Sequence, residues 1–181
     1  MYRVIRRLFG SLAALAFVAL AALFGFSDPT REFQALGASD PSLRISDGDS
    51  FRLDGTRYRL HGIDAPESKQ SCTDAKGREW ACGQQARTYL AGLIDPETLE
   101  CADRGPDKYG RTLATCRTAR TPDIGAAMVR AGMAVSYSRE KIPPYSVDEV
   151  RARSAARGIW AGDFTRPEDW RREQKQARAA R

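Results

Sequence analysis

Histidine and closely spaced cysteine are what this chain most lacks. His61 is the one histidine in 181 residues, and the four cysteines (Cys72, Cys82, Cys101 and Cys116) include no C-x₂₋₄-C pair. Both shortages argue against a structural zinc site. No internal repeat is present, which excludes a repeat architecture. Acidic side chains are in the minority, 23 Asp and Glu against 29 Lys and Arg, giving a net charge of +6. The first 42 residues hold four basic and three acidic side chains, so most of the excess lies beyond them. A basic domain favours a polyanionic partner, either nucleic acid or an anionic membrane.

One long apolar run is present, from Leu8 to Phe26, preceded by Arg3, Arg6 and Arg7. It is apolar all round and about long enough to span the hydrocarbon of a bilayer. Residues 1–27 are therefore expected to be a signal peptide cut after Ser27 or an uncleaved anchor, the run's length favouring the anchor. Either way, the rest of the chain is expected outside the cytoplasm, membrane-anchored or secreted. Residues 28–42 read as a linker, 43–162 as the domain and 163–181 as a basic tail, solvated and helical or disordered rather than a specific binding element. An even cysteine count in an oxidising compartment favours two disulfides. Three pairings are open. Cys72–Cys82, closing a polar loop, and Cys101–Cys116, closing a hairpin, are preferred.

Alternating apolar and polar residues predict a three-stranded meander over residues 43–63, with Asp54-Gly55 as a hairpin turn. An amphipathic helix is expected over 82–94, ended by Asp95-Pro96. Strands at 98–102 and up to Cys116 flank a turn containing Asp107. A helix opened by Thr121-Pro122-Asp123 and closed by Gly132 follows, then a basic helix over 147–157. The fold expected is α+β, mainly β: a five-stranded OB-fold barrel with three helices, preceded by the N-terminal hydrophobic helix.

Chemistry concentrates in Arg59-Leu60-His61-Gly62-Ile63-Asp64-Ala65-Pro66-Glu67. Pro66 fixes its own φ and pushes Ala65 out of the helical region, so an acid stands on each side of a rigid bend. Alone, this is a polar turn with two solvated acids. Asp49 is either an Asx-type turn residue or a carboxylate facing Asp64 across the sheet. Two carboxylates, a carbonyl and waters would suit a hard divalent cation. Arg111 is either a functional cation or a solvated strand residue, Asp107 is expected to be a turn residue rather than a ligand, and Lys108 and Tyr109 are either a phosphate and base contact or an exposed loop tip. His61 is expected to be a half-buried strand residue without a catalytic task.

Asp47-Gly48-Asp49-Ser50, then Arg59-Leu60-x-Gly-Ile63-Asp64-Ala65-Pro66-Glu67, then Asp107-Lys108-Tyr109-Gly110-Arg111, in that order and spacing, resemble the staphylococcal nuclease family from about Leu43 to Trp160. The resemblance implies Ca²⁺ on Asp49, Asp64 and the Ala65 carbonyl, with Glu67 as general base. It makes Arg59 and Arg111 phosphate clamps, and Lys108 and Tyr109 nucleotide contacts. The implied activity is hydrolysis of DNA and RNA by a monomer with no obligate protein partner, releasing a 5′-hydroxyl and a 3′-phosphate. Ala65 stands where the best-known member has threonine, and the loop 68–82 with its two cysteines is unlike that member. A non-catalytic OB binding module and a membrane-tethered interaction domain are the competing functions. Neither explains why Asp49, Asp64, Glu67, Arg59 and Arg111 occur together.

Overall fold

Period-two alternation builds the sheet, and two left-handed residues turn its tightest corner. The computed structural model describes residues 33–35, 42–138 and 142–181, and the apolar run 8–26 with the cleavage point after Ser27 lies outside them. No helix among the described residues is long and apolar enough to cross a membrane. The strands are β1 (Gln34–Ala35), β2 (Arg44–Asp47), β3 (Ser50–Leu53), β4 (Thr56–Leu60), β5 (Ile63–Asp64), β6 (Cys72–Thr73), β7 (Glu79–Trp80), β8 (Glu100–Pro106), β9 (Thr112–Arg117) and β10 (Val135–Ser136). The helices are α1 (Cys82–Leu93), α2 (Ile124–Arg130), α3 (Ser146–Ser154), a 3₁₀ turn (Gly158–Ala161) and α4 (Pro167–Ala179).

The meander β2–β3–β4 forms as expected. Asp54 and Gly55 both take positive φ (47° and 80°), the backbone that a two-residue hairpin matching strand twist requires. β4 then pairs in parallel with β9, which pairs antiparallel with β8. The main sheet has the order β1-β8-β9-β4-β3-β2.

Among the described residues this is an OB-like α+β arrangement with no closed barrel, which corrects the expected five-stranded barrel. The strand pairing shows why. β1, from within the stretch expected to be a linker, pairs with the outer edge of β8, while β2 pairs only with β3 in this sheet. The third strand also stops short of Ile63. Gly62 turns the chain at a φ of +82°, where a Cβ would lie 2.5 Å from the Pro144 side chain. That turn sends β5 away to pair with β10.

The helices number four among the described residues, plus the 3₁₀ turn, because the tail folds as α4. The core lies between the sheet and α1 to α2, with Phe51, Leu60, Leu90, Ile124 and Met128 almost fully buried. A smaller apolar cluster around Cys72, Cys82, Val135 and Ile159 lies beneath the loop 68–82. Both preferred disulfides are present, Cys72–Cys82 and Cys101–Cys116. The second joins directly opposed residues of β8 and β9. The polar loop 68–82 contains a short β6–β7 ribbon tied to α1 by Cys72–Cys82.

Of Thr121-Pro122-Asp123, Asp123 is the residue that caps α2, its Oδ1 accepting from the Ala126 N–H at 2.9 Å. The same carboxylate accepts from the buried Tyr145 hydroxyl at 3.2 Å. Burial first, and the Asp123 charge second, push the Tyr145 pKa above that of a free tyrosine. A raised folded pKa means the native state keeps a proton that the unfolded state releases. That contribution is complete below about pH 10 and is lost as pH rises toward the folded value. Tyr145→Phe is therefore expected to cost about 1 kcal/mol at neutral pH and to flatten the alkaline decline. Thermal melts between pH 7 and 11 check this, and a variant that declines as steeply as the parent would contradict it.

Candidate active site

Turns, strands β4 and β5 and one helix bring charge to a single cluster. Asp49 is held in the β2–β3 turn, and Arg59 comes from β4, paired with Ser50 across the ladder. Asp64 ends β5, and Glu67 follows the Pro66 bend. Gly48 lets the turn approach: a Cβ there would meet Ala86 Cβ at 2.7 Å and Ala65 Cβ at 2.8 Å. The Ala65 N–H donates to Asp49 Oδ2 at 3.2 Å, which fastens the Pro66 bend to the first turn.

Arg59 bridges the two buried acids. Its Nη1 lies 2.9 Å from Asp49 Oδ2 and its Nη2 donates to Asp64 Oδ1 at 2.8 Å. Asp49 and Asp64 are 3% and 1% exposed, so they are carboxylates that burial would otherwise penalise heavily. Burial pushes the Asp49 pKa up, Arg59 pulls it back, and the Asp64 charge pushes it up again. Burial also works against the charge on Arg59, but Asp49 and Asp64 outweigh it and hold that guanidinium more firmly protonated than usual.

A second arginine, which sequence reasoning did not single out, completes the cluster. Arg171 of α4 donates through Nη1 to Asp64 Oδ1 at 3.0 Å and to Glu67 Oε1 at 2.8 Å, and through Nη2 to Asp64 Oδ2 at 2.8 Å. Asp64 and Glu67, the acids on either side of the Pro66 bend, thus share one arginine nitrogen. The Glu67 pKa is raised, chiefly by burial, while the Arg171 hydrogen bond opposes the rise and the Asp47 charge adds to it. The finding corrects the expectation of a merely solvated tail. Pro167 at the first turn, followed by Glu168 and Asp169, is a legible helix start. Nothing local in the sequence says where that helix docks.

Arg111 joins from the β8–β9 hairpin. Asp107 is a turn residue, accepting the Tyr109 and Arg111 N–H groups through Oδ1. It also anchors the Arg111 guanidinium, with Nε donating at 2.7 Å. Arg111 Nη1 reaches Ser50 Oγ at 3.4 Å, and that hydroxyl donates to Asp49 Oδ1 at 2.7 Å. Lys108 and Tyr109 stand at the hairpin tip. Tyr109 is 63% exposed, and the Lys108 ammonium and Arg111 guanidinium sit 5.0 and 5.6 Å from its ring centroid. His61 lies in the turn after β4, its N–H donating to the Ala114 carbonyl at 2.8 Å. β4 ends at Leu60, so His61 stands in a turn rather than in the strand where it was expected.

Asp49, Asp64 and the Ala65 carbonyl make an all-oxygen set of the kind hard divalent cations take. Among the described residues no group of three or more His, Cys, Asp or Glu is assembled around a metal position. A cation would therefore rest on two carboxylates, a carbonyl and water. That donor set fits, provided the arginines yield the carboxylate oxygens they now hold.

An OB-like domain with a cleft of alternating carboxylates and guanidinium groups is one of a recognisable class. The family model described as staphylococcal nuclease homologue matches residues 57–162, and the chain belongs to that family. It is 32% identical to a protein named micrococcal nuclease from Shigella flexneri, over 92% of this chain and 97% of that one. It is 31% identical to an uncharacterized endonuclease of Haemophilus influenzae, over 74% and 72% of the two chains. It is also 32% identical to a succinoglycan biosynthesis protein of Rhizobium meliloti (strain 1021), over 68% and 67%.

Proposed function

We propose that this chain is a calcium-dependent nuclease that hydrolyses phosphodiester bonds of DNA and RNA with little sequence preference. The observation that carries the reading is the convergence of Asp64 and Glu67 on one cationic nitrogen, with Asp49 and Arg59 directly behind. Arg171 links Glu67 to Asp64, and Arg59 links Asp64 to Asp49, which supports reading them together as base, cation site and phosphate clamp.

Glu67 accepts a proton from the attacking water, a task suited to a carboxylate whose pKa burial has raised. Arg59 and Arg111 hold the phosphoryl oxygens as planar forks that stay charged throughout. In the resting structure both forks are turned to carboxylates, Arg59 to Asp49 and Asp64, Arg111 to Asp107. An incoming phosphate exchanges one anion for another without stranding a buried cation. A calcium ion held by Asp49, Asp64 and the Ala65 carbonyl would supply Lewis-acid polarisation of a phosphoryl oxygen. Lys108 and Tyr109 offer a point charge and an exposed aromatic face to the flanking nucleotide. Water adds to phosphorus, the bond to O5′ breaks, and the leaving oxygen takes a proton from solvent. The products are a 5′-hydroxyl and a 3′-phosphate. The basic n-region and apolar run at residues 3–26 support export, with the domain outside the cytoplasm, anchored or secreted.

End-group analysis of a digested single-stranded oligonucleotide tests the chemistry. Fragments that accept phosphate at their 5′ ends without prior dephosphorylation are expected, and 5′-phosphate ends would contradict it. Positioning of Glu67 gives a second check. A Cβ at Gly83, in the first turn of α1, would fall 1.7 Å from the Glu67 carbonyl oxygen. Gly83→Ala must therefore push the Glu67 segment aside. It is expected to cost about 1–3 kcal/mol of stability and about a hundredfold in rate, read from thermal melts and initial rates of plasmid cleavage. Unchanged cleavage would show that the Glu67 backbone need not be held there.

A further inference from the structure

The segment that delivers Arg171 to the cleft is docked residue by residue onto the disulfide-tied loop. Gly162 lets it pass: a Cβ there would lie 2.4 Å from the Thr73 carbonyl oxygen and 2.5 Å from that of Asp74. The Thr73 N–H donates to the Asp163 carbonyl at 2.9 Å, and the Asp163 N–H donates to Thr73 Oγ1 at 3.0 Å. Gln70, only 1% exposed, links both sides. Its amide oxygen accepts from the Glu67 N–H at 3.3 Å, and its Nε2 donates to the Thr165 carbonyl at 2.6 Å. The tail is thus seated on the same short loop that carries Glu67, and Cys72–Cys82 holds that loop to α1.

α4 itself is held through its first turn and a half. Pro167 is its one buried residue, Asp169, Trp170 and Arg171 are partly buried, and the residues from Arg172 onward are exposed. A charged helix of 13 residues is marginal by itself in water. Arg171 is its ionic contact with the cleft. That one side chain takes both oxygens of Asp64 and one of Glu67, the groups a cation and an attacking water would need. A guanidinium and a divalent cation on the same oxygens repel each other strongly.

We infer that α4 is a built-in latch: Arg171 occupies the cleft carboxylates in place of a divalent cation, and cation binding and helix release are two sides of one equilibrium. The inference rests on the metal site of the nuclease reading. The latched state has its base and cation ligands engaged, and the open state has them free. If the open state makes up about a tenth of the molecules, the measured cation affinity is about tenfold weaker than the intrinsic one. Removing Arg171 restores the difference. Loosening the seat of the tail at Gly162, remote from the carboxylates, acts in the same direction.

Calcium titration calorimetry on the full-length chain, with hydrogen exchange of residues 167–179, tests the latch. Arg171→Gln and Gly162→Ala are each expected to bind Ca²⁺ about tenfold more tightly than the parent, and Ca²⁺ is expected to speed amide exchange along α4 in the parent. If the parent binds Ca²⁺ but neither variant binds it more tightly, the latch is wrong and the cation site stands. If Arg171→Gln binds Ca²⁺ more weakly, Arg171 supports the site rather than guarding it, which also overturns the latch. If neither the parent nor the variants bind Ca²⁺, the cation site itself fails and the latch fails with it.

Discussion

Glu67→Gln is expected to lower the cleavage rate by about a hundred- to ten-thousandfold, the usual worth of a positioned general base, with little change in melting temperature. The substitution keeps the side chain's shape and a hydrogen-bond acceptor for Arg171, but removes the charge that takes the proton. Because Arg171 pairs with Glu67 at 2.8 Å, the variant also gives up part of one ion pair. That pair is partly exposed, with Arg171 38% and Glu67 28% accessible, so its loss is expected to be small. Single-turnover cleavage of a defined oligonucleotide, alongside thermal melts, separates the two effects. A variant with the parent's rate would remove Glu67 from the mechanism.

Arg59→Ala is expected to damage both fold and reaction. It leaves Asp49 and Asp64 buried and adjacent without the cation that bridges them. Breaking a buried pair from one side costs about 3–5 kcal/mol, and Arg171 still serves Asp64, so about 3 kcal/mol is expected. For a chain of this size that corresponds to a fall of roughly 6–12 °C in Tm. Loss of a phosphate donor adds about a hundred- to thousandfold in rate. Arg59→Lys divides the two consequences. Its ammonium restores charge between the acids, so stability should largely return. It cannot present a planar fork, so the rate should stay low. Full recovery of both by lysine would mean that Arg59 acts as a point charge alone.

Features written in a few consecutive residues were legible before any coordinates. Asp54-Gly55 specified its turn through its preference for positive φ, Asp123 its cap, and the Cys101–Cys116 pair the hairpin it closes. The core sequence of the cleft was equally local. Asp64, Pro66 and Glu67 lie within four positions, so a single bend carries both of the acids that Arg171 joins. Asp49 and Arg111 were reached through the spacing of motifs that resemble one family.

What escaped the sequence is what depends on distant partners. Arg171 stands 107 positions from Asp64, in a tail whose composition is that of a solvated helix, so no periodicity marks it as part of a cleft. Gln70 looks like any polar loop residue until the tail closes over it. The break after β4 follows from Gly62 meeting Pro144 and Tyr145, a contact between segments far apart in the chain. The pairing of Gln34–Ala35 with β8 depends on an edge left available by the rest of the sheet.

The most direct test of the account is plasmid cleavage by the full-length chain as a function of free Ca²⁺, run on the parent and on Glu67→Gln. The account predicts that parent cleavage rises with Ca²⁺ and stops in EGTA, while Glu67→Gln stays at least about a hundredfold slower at every concentration. Cleavage that persists in EGTA, or that the two proteins share equally, would contradict it, as would DNA binding without any cleavage.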